Sequence, residues 1–264
     1  MDDIRKGVGR RSAPYPSGRK QPTSKLNRMN PTSTRSASLV ATLALGIALA
    51  AVTSGCQTTA PTTRRVQTRE AQAAITPDGA LDVLKAGNDR YRSGHSLTRD
   101  LGAQRQSTAA GQFPFAFVLG CIDSRCAPET VFDQGIGDLF TARVAGNVVN
   151  EDILGSMEFG CRVAGAKLIV VLGHSKCGAI QGAVNHVELG NLTALLRRIQ
   201  PSVAAVGGTA AAPRIDAITE ANVRRMVVQI SEQSPVLAEL QRTGKLRIVG
   251  ALYSLETGSV RFLE

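Results

Sequence analysis

Two short runs of the chain carry side chains that could do chemistry together. Cys121-Ile122-Asp123-Ser124-Arg125 and His174-Ser175-Lys176-Cys177 supply two thiols, an imidazole, a carboxylate and a guanidinium. Two sulfurs and one nitrogen suit Zn²⁺, and three protein ligands leave a fourth position for water or for Asp123. A structural zinc site normally fills all four positions with Cys or His, so Asp123 and Arg125 point to catalysis. Taken singly, a Cys after a strand reads as a small buried hydrophobe and a lone His as a satisfied core or surface residue. It is the combination that signals a metal. Zn²⁺ held by two thiolates and one neutral imidazole has no net charge, so it acidifies bound water less than an all-imidazole site does. A carboxylate gripped in two-pronged fashion by a guanidinium would help, accepting the hydrogen bond of a zinc-bound hydroxide and aiming its lone pair at the substrate.

The elements that must bring these runs together can be read from hydrophobic pattern. FPFAFVLG (113–120) and AKLIVVLG (166–173) are short apolar runs stopped by Gly, and both read as buried parallel strands. Loops after the carboxyl ends of neighbouring parallel strands meet at one edge, so Cys121 and His174 can converge across 53 residues. If a helix starts after Gly173, His174 and Cys177 at i and i+3 lie on one of its faces. DLFTARVAGNVV (138–149) reads as a third strand and turn, and 151–165 has helical spacing. A Thr-Pro-Asp cap signal opens a helix over 75–95 that ends at Gly94. The pattern continues helical over 178–200, as a flexible connection over 201–213, and as helix over 216–243 with a break near Ser234-Pro235. Two β runs around Thr257-Gly258 close the chain. This alternation predicts an α/β fold.

Charge is unevenly placed along the 264 residues. Of 31 Lys+Arg and 21 Asp+Glu, nine basic and two acidic residues fall in 1–56, leaving 22 and 19 for the rest. A domain so near neutrality, in a chain with no Trp, three Tyr and seven Phe, lacks the basic face and stacking aromatics of a nucleic-acid binder. Leu39 to Val52 is an uncharged apolar run of 14 residues, too short to span a bilayer comfortably, preceded by Arg35 and followed by Thr53-Ser54-Gly55-Cys56. That is the layout of an export signal. T-S-G-C resembles the lipobox of bacterial lipoproteins, although Thr53 stands where Leu is usual, and the resemblance implies lipidation of Cys56. A start at Met29 gives a signal of ordinary length, so the reading is 1–28 as upstream extension, 29–55 as signal peptide, 56–73 as a Thr-rich tether and 74–264 as the catalytic domain. Gln57, not Asp, after the anchor leans by analogy toward the outer membrane, facing the periplasm.

The motifs C-x-D-S-R and H-x-x-C resemble those of the β-class carbonic anhydrases. The resemblance extends from ALDVLKAGNDRYRSG (80–94) through DLFTARVAGNVV and GHSKCGAI to SPVLAEL (234–240) and IVGALYSLETGSVRFL. It implies a zinc lyase interconverting carbon dioxide with bicarbonate and a proton, one Zn²⁺ per subunit on Cys121, His174 and Cys177. It also implies a short, mostly parallel β-sheet flanked by helices, an N-terminal helical arm, and a homodimer or multiple of dimers. Asp123 then either pairs with Arg125 or swings onto zinc as fourth ligand, and the pattern leaves that open. The allosteric members' bicarbonate pocket includes a Trp, which this chain lacks, so a constitutively competent enzyme is expected. The family's substrate pocket aligns on Phe140, Ala145 and Phe159, with Gln112 as amide donor, and lies at the dimer interface. Carbonyl sulfide or carbon disulfide hydrolysis on the same scaffold, and a non-catalytic zinc-binding lipoprotein, are the competing readings. The latter needs neither Asp123 nor Arg125. Cys126 and Cys161 are expected to be free thiols, His186 reads as part of a solvated helix face, and His95 needs no role.

Overall fold

The structure is a computed structural model that describes residues 66–207 and 212–263; the expected signal peptide and Cys56 lie outside the described residues. Five strands form one sheet in the order β2-β1-β3-β4-β5. β1 (Ala116–Gly120), β2 (Leu139–Arg143), β3 (Leu168–His174) and β4 (Arg247–Tyr253) run parallel, and β5 (Val260–Leu263) returns antiparallel to β4. β1 and β3 are buried at every position, as apolar runs without alternation should be when helices cover both faces.

One face carries Phe117, Leu119, Ile169, Val171 and Ile248 in a core shared with α5 (Glu151–Glu158), α6 (Gly178–Val184), α7 (Gly190–Arg197), α8 (Gln200–Val206), α9 (Ala212–Gln233) and α10 (Pro235–Arg242). On the other, Val118, Leu168, Val170 and Val249 meet α2 (Pro77–Arg92) and α4 (Pro128–Val131). Period-two alternation along each strand feeds both cores. Cys126 belongs to the second core and Cys161 to the first, so the sheet separates them and both remain free thiols. The N-terminal helices are held by amides: Asn88 on α2 donates to the Val131 and Gly258 carbonyls and accepts from Val260 N.

Three boundaries differ from the sequence pattern. The expected tether over 56–73 overlaps α1 (Arg69–Ala74), which Thr68 caps and whose Gln72 donates to the Pro114 and Ala164 carbonyls at 2.7 and 2.8 Å. A short polar run can still be ordered by one long-range amide clasp, which spacing does not reveal. The helix expected over 178–200 is broken at Asn185, and His186 takes a left-handed φ of 51°, so the chain turns back onto the first core. The connection expected over 201–213 includes most of α8, whose Pro201 sits in its first turn. The cap signal at Thr76 does cap α2, and at the expected break Ser234 caps α10.

Between α2 and the α4 turn, α3 (Leu101–Thr108) follows a loop pinned by one carboxylate. Asp133, with a side chain 1% exposed, accepts from Arg90 Nε at 2.5 Å, from Arg99 Nη1 and from Leu97 N at 3.3 Å. Burial alone would raise its pKa; Arg99 and Arg90 outweigh that and hold it below the usual carboxylate value. Its stabilising contribution is therefore complete above pH about 4 and is lost as pH falls through the lower folded value. Asp133→Asn leaves two guanidiniums short of a counter-charge and is expected to cost about 3 kcal/mol in urea unfolding at pH 7, with a smaller difference from wild type in acid.

Candidate metal centre

Cys121 follows the last residue of β1, and His174 ends β3. Because Gly120 pairs in register with Leu172, both chains leave the sheet at the same edge. Cys177 caps the start of α6. The two sulfurs and an imidazole nitrogen lie within 4.8 Å of one another, and all three residues are buried. The expectation that a helix would put His174 and Cys177 on one face is corrected: β3 extends through His174, and a turn brings Cys177 back. That turn requires Lys176 to adopt a left-handed φ of 56°. Asp216 on α9 accepts the Lys176 N–H at 3.2 Å, and Ser175 N donates to the Tyr253 carbonyl at 2.9 Å. α9 can come this close because Gly173 and Gly250 lack side chains. A Cβ at either would stand 2.6 Å from a Val223 methyl.

His174 Nδ1 lies 2.9 Å from the Ser175 carbonyl, which can only accept, so Nδ1 carries the proton. Nε2 is left with its lone pair, buried and without a hydrogen-bond partner. An orphaned imidazole nitrogen facing two buried sulfurs is a donor set that fits Zn²⁺. Without a cation the three groups compete for protons. The Cys177 thiol donates to Cys121 and, against the opposing effect of burial, holds its pKa down to about 4; Cys177 is pushed up correspondingly by the Cys121 charge and by burial. Burial pulls His174 down, but the sulfurs of Cys121 and Cys126 outweigh it and raise the imidazole to about 10.

Asp123 faces this group with Oδ2 4.0 Å from His174 Nε2. Arg125 grips it in two-pronged fashion, Nε to Oδ1 at 2.9 Å and Nη2 to Oδ2 at 2.7 Å, and the Arg125 N–H adds a third bond to Oδ1 at 3.0 Å. Arg125 therefore holds the carboxyl well below the usual carboxylate range, against the opposing effect of its burial. Arg143 was not singled out by the sequence. From the end of β2 its Nε donates to the Cys121 carbonyl at 2.8 Å and its Nη2 to the Asp123 carbonyl, fixing the loop that carries ligand and carboxylate alike. The available signal was register, since Arg143 pairs with Gly120.

Of the expected pocket residues, Phe140 and Phe159 meet edge-on at 6.4 Å and line a recess of about 670 Å³ with Phe117, Ala142 and Gly155. No metal-group residue lines it. Ala145 lies in the short turn after β2, beside Gly146, whose N–H donates to Cys121 Sγ at 3.4 Å. Gln112 is exposed ahead of β1, at the end of the strand away from Cys121. Within one chain the four are not brought together.

The sequence profile of the carbonic anhydrase family matches residues 116–260. A protein of Mycobacterium tuberculosis named carbonic anhydrase 2 is 37% identical over 188 residues, covering 69% of this chain and 90% of its own length. A carbonic anhydrase of Mycolicibacterium smegmatis is likewise 37% identical, over 190 residues, 70% of this chain and 92% of that protein. Among solved structures, a β-carbonic anhydrase of Aspergillus fumigatus superposes with a TM-score of 0.56 at 26% identity, over 71% of this chain and 90% of its own. That of Coccomyxa, in complex with acetazolamide, gives 0.54 at 26% identity over 69% and 81%.

Loss of either sulfur should remove the metal without unravelling the sheet. Cys121→Ser and Cys177→Ser are each expected to reduce zinc by more than about tenfold relative to wild type by elemental analysis, while far-ultraviolet circular dichroism is retained.

Proposed function

The chain belongs to the carbonic anhydrase family, in its β class, and we propose that within it Asp123 and Arg125 do the orienting work and that the enzyme acts as an exported, lipid-anchored dimer. It is a zinc-dependent enzyme that interconverts carbon dioxide and water with bicarbonate and a proton. Cys121, His174 and Cys177 hold the zinc. Bound there, zinc supplies a Lewis acid that makes water nucleophilic near neutral pH.

The observation that carries the role of Asp123 is its two-pronged grip by Arg125 with Oδ2 turned toward the metal group. Held ionised, the carboxylate can only accept hydrogen bonds. A water whose O–H points at Oδ2 has its lone pair directed away from the protein, toward substrate. Arg125 keeps the carboxylate aimed, and its three bonds leave Oδ2 the less occupied oxygen. Arg143 holds the loop, so that the distance between Cys121 and Asp123 stays fixed during turnover. A non-catalytic zinc protein would have no use for this dyad.

Phe140 and Phe159 offer an apolar surface suited to a small apolar gas. Phe159 is 53% exposed and Val163 73%, both on the stretch that follows α5. Covering them with a second subunit would supply a second wall and would let Gln112 of one copy approach the metal group of the other. Anchoring through Cys56 rests on the T-S-G-C sequence and the apolar run before it. Asp123→Ala is expected to lower carbon dioxide hydration in stopped flow by about 10–100-fold with zinc content unchanged, and an unchanged rate would refute the orienting role. Cells fed radiolabelled palmitate should label the wild-type chain and not Cys56→Ser; equal labelling would exclude lipidation at Cys56.

A further inference from the structure

Asn222 on α9 is fully buried and plays no part in the chemistry above. Its Nδ2 donates to the Gly146 carbonyl at 2.9 Å, across 76 residues of sequence, and its Oδ1 accepts from Ser202 Oγ at 3.3 Å. Both ends of the amide are thus used, as a buried carboxamide requires. The residue it holds is unusual. Gly146 has φ 69° and ψ 16°, and a Cβ there would stand 2.7 Å from Ile199 Cδ1 and 3.3 Å from Ala179 Cβ. The N–H of this same residue donates to Cys121 Sγ. The carbonyl and the N–H belong to adjacent peptide planes, and the left-handed dihedrals of Gly146 fix the angle between them. Holding one plane therefore aims the other.

A hydrogen bond donated to a thiolate draws charge back onto sulfur, so the sulfur gives less to a bound metal and the metal stays a stronger Lewis acid. That matters most where two thiolates already neutralise the ion. We propose that Asn222 is a positioning residue of the metal centre, which clamps the Gly146 carbonyl and so keeps the Gly146 N–H on the Cys121 sulfur. The role rests on Cys121 being a zinc ligand. Ser202 orients the carboxamide from its other side, which makes the order of action Ser202, Asn222, Gly146, Cys121.

The test uses the full chain with cobalt exchanged for zinc, reading the sulfur-to-cobalt charge-transfer absorption. In Asn222→Ala the absorption is expected to move to lower energy, because the sulfur then gives more to the metal. A residue that only packs the core would lower the thermal midpoint and leave the absorption where wild type has it. An unmoved absorption overturns the proposal. If Asn222→Ala does not fold, Ser202→Ala is read in its place: a smaller displacement in the same direction supports the proposal, and none overturns it. A wild-type protein with no sulfur-to-cobalt absorption would instead overturn the ligand assignment itself, an outcome distinct from an absorption that the variants fail to move.

Discussion

Two cysteine sulfurs and an imidazole nitrogen, buried within 4.8 Å of one another, are the constraint on which the rest of the structure turns. Cys121 is 4% exposed and Cys177 and His174 1% each, so two full thiolate charges cannot persist there unaided. Without a cation the sulfurs share a proton, one pushed down and the other up. A divalent ion removes that conflict, since it replaces the shared proton and takes the lone pair that His174 Nε2 presents to no other partner. The Ser175 carbonyl that fixes the His174 tautomer, and the Gly146 amide on Cys121, fit this demand.

Sheet and helix geometry follow from the need to hold such a group rigidly. Parallel strands β1 and β3 end at one edge, β3 two residues further on, which places Cys121 and His174 without any long loop. Cys177 must then return within three residues. The left-handed Lys176 makes this possible, and Asp216 secures it from α9. α9 comes closest to the strands over Gly173 and Gly250, where a Cβ would meet Val223. The same helix carries Asn222, so a single packing contact delivers two polar side chains to the two sides of the metal group.

The strands, the capped helix at Thr76, the break at Ser234, and the convergence of Cys121, His174 and Cys177 were legible because each depends on local pattern or on a rule about parallel sheets. The metal ligands were legible for a further reason: their residue types are uncommon and their chemistry is specific. What escaped was of another kind. Arg143, Asp216 and Asn222 act by hydrogen bonds to backbone, across 22, 40 and 76 residues. An amide or guanidinium holding a carbonyl looks, in sequence, like any surface residue. The helical order of Arg69–Ala74 was hidden for the same reason, since Gln72 fastens it to carbonyls of β1's approach and of the turn before β3. The Cys177 turn was misread as helix because i, i+3 spacing is shared by a helix and by a reversed chain.

Charge tells a consistent story once its location is known. The excess of basic residues lies largely in residues 1–56, and the remainder is close to balance. A neutral gas gains nothing from a long-range field, so no selection for a charged funnel toward the site is expected. At the centre, charges are offset by immediate neighbours instead. Arg125 offsets Asp123, and two thiolates offset a divalent ion. An anionic product on such a centre meets an ion whose charge the two thiolates already offset. The arrangement that weakens the acidity of bound water thus also weakens the hold on bicarbonate. On the proposed roles, Asp123 and the amide on Cys121 restore reactivity by direction and by hydrogen bonding rather than by added charge.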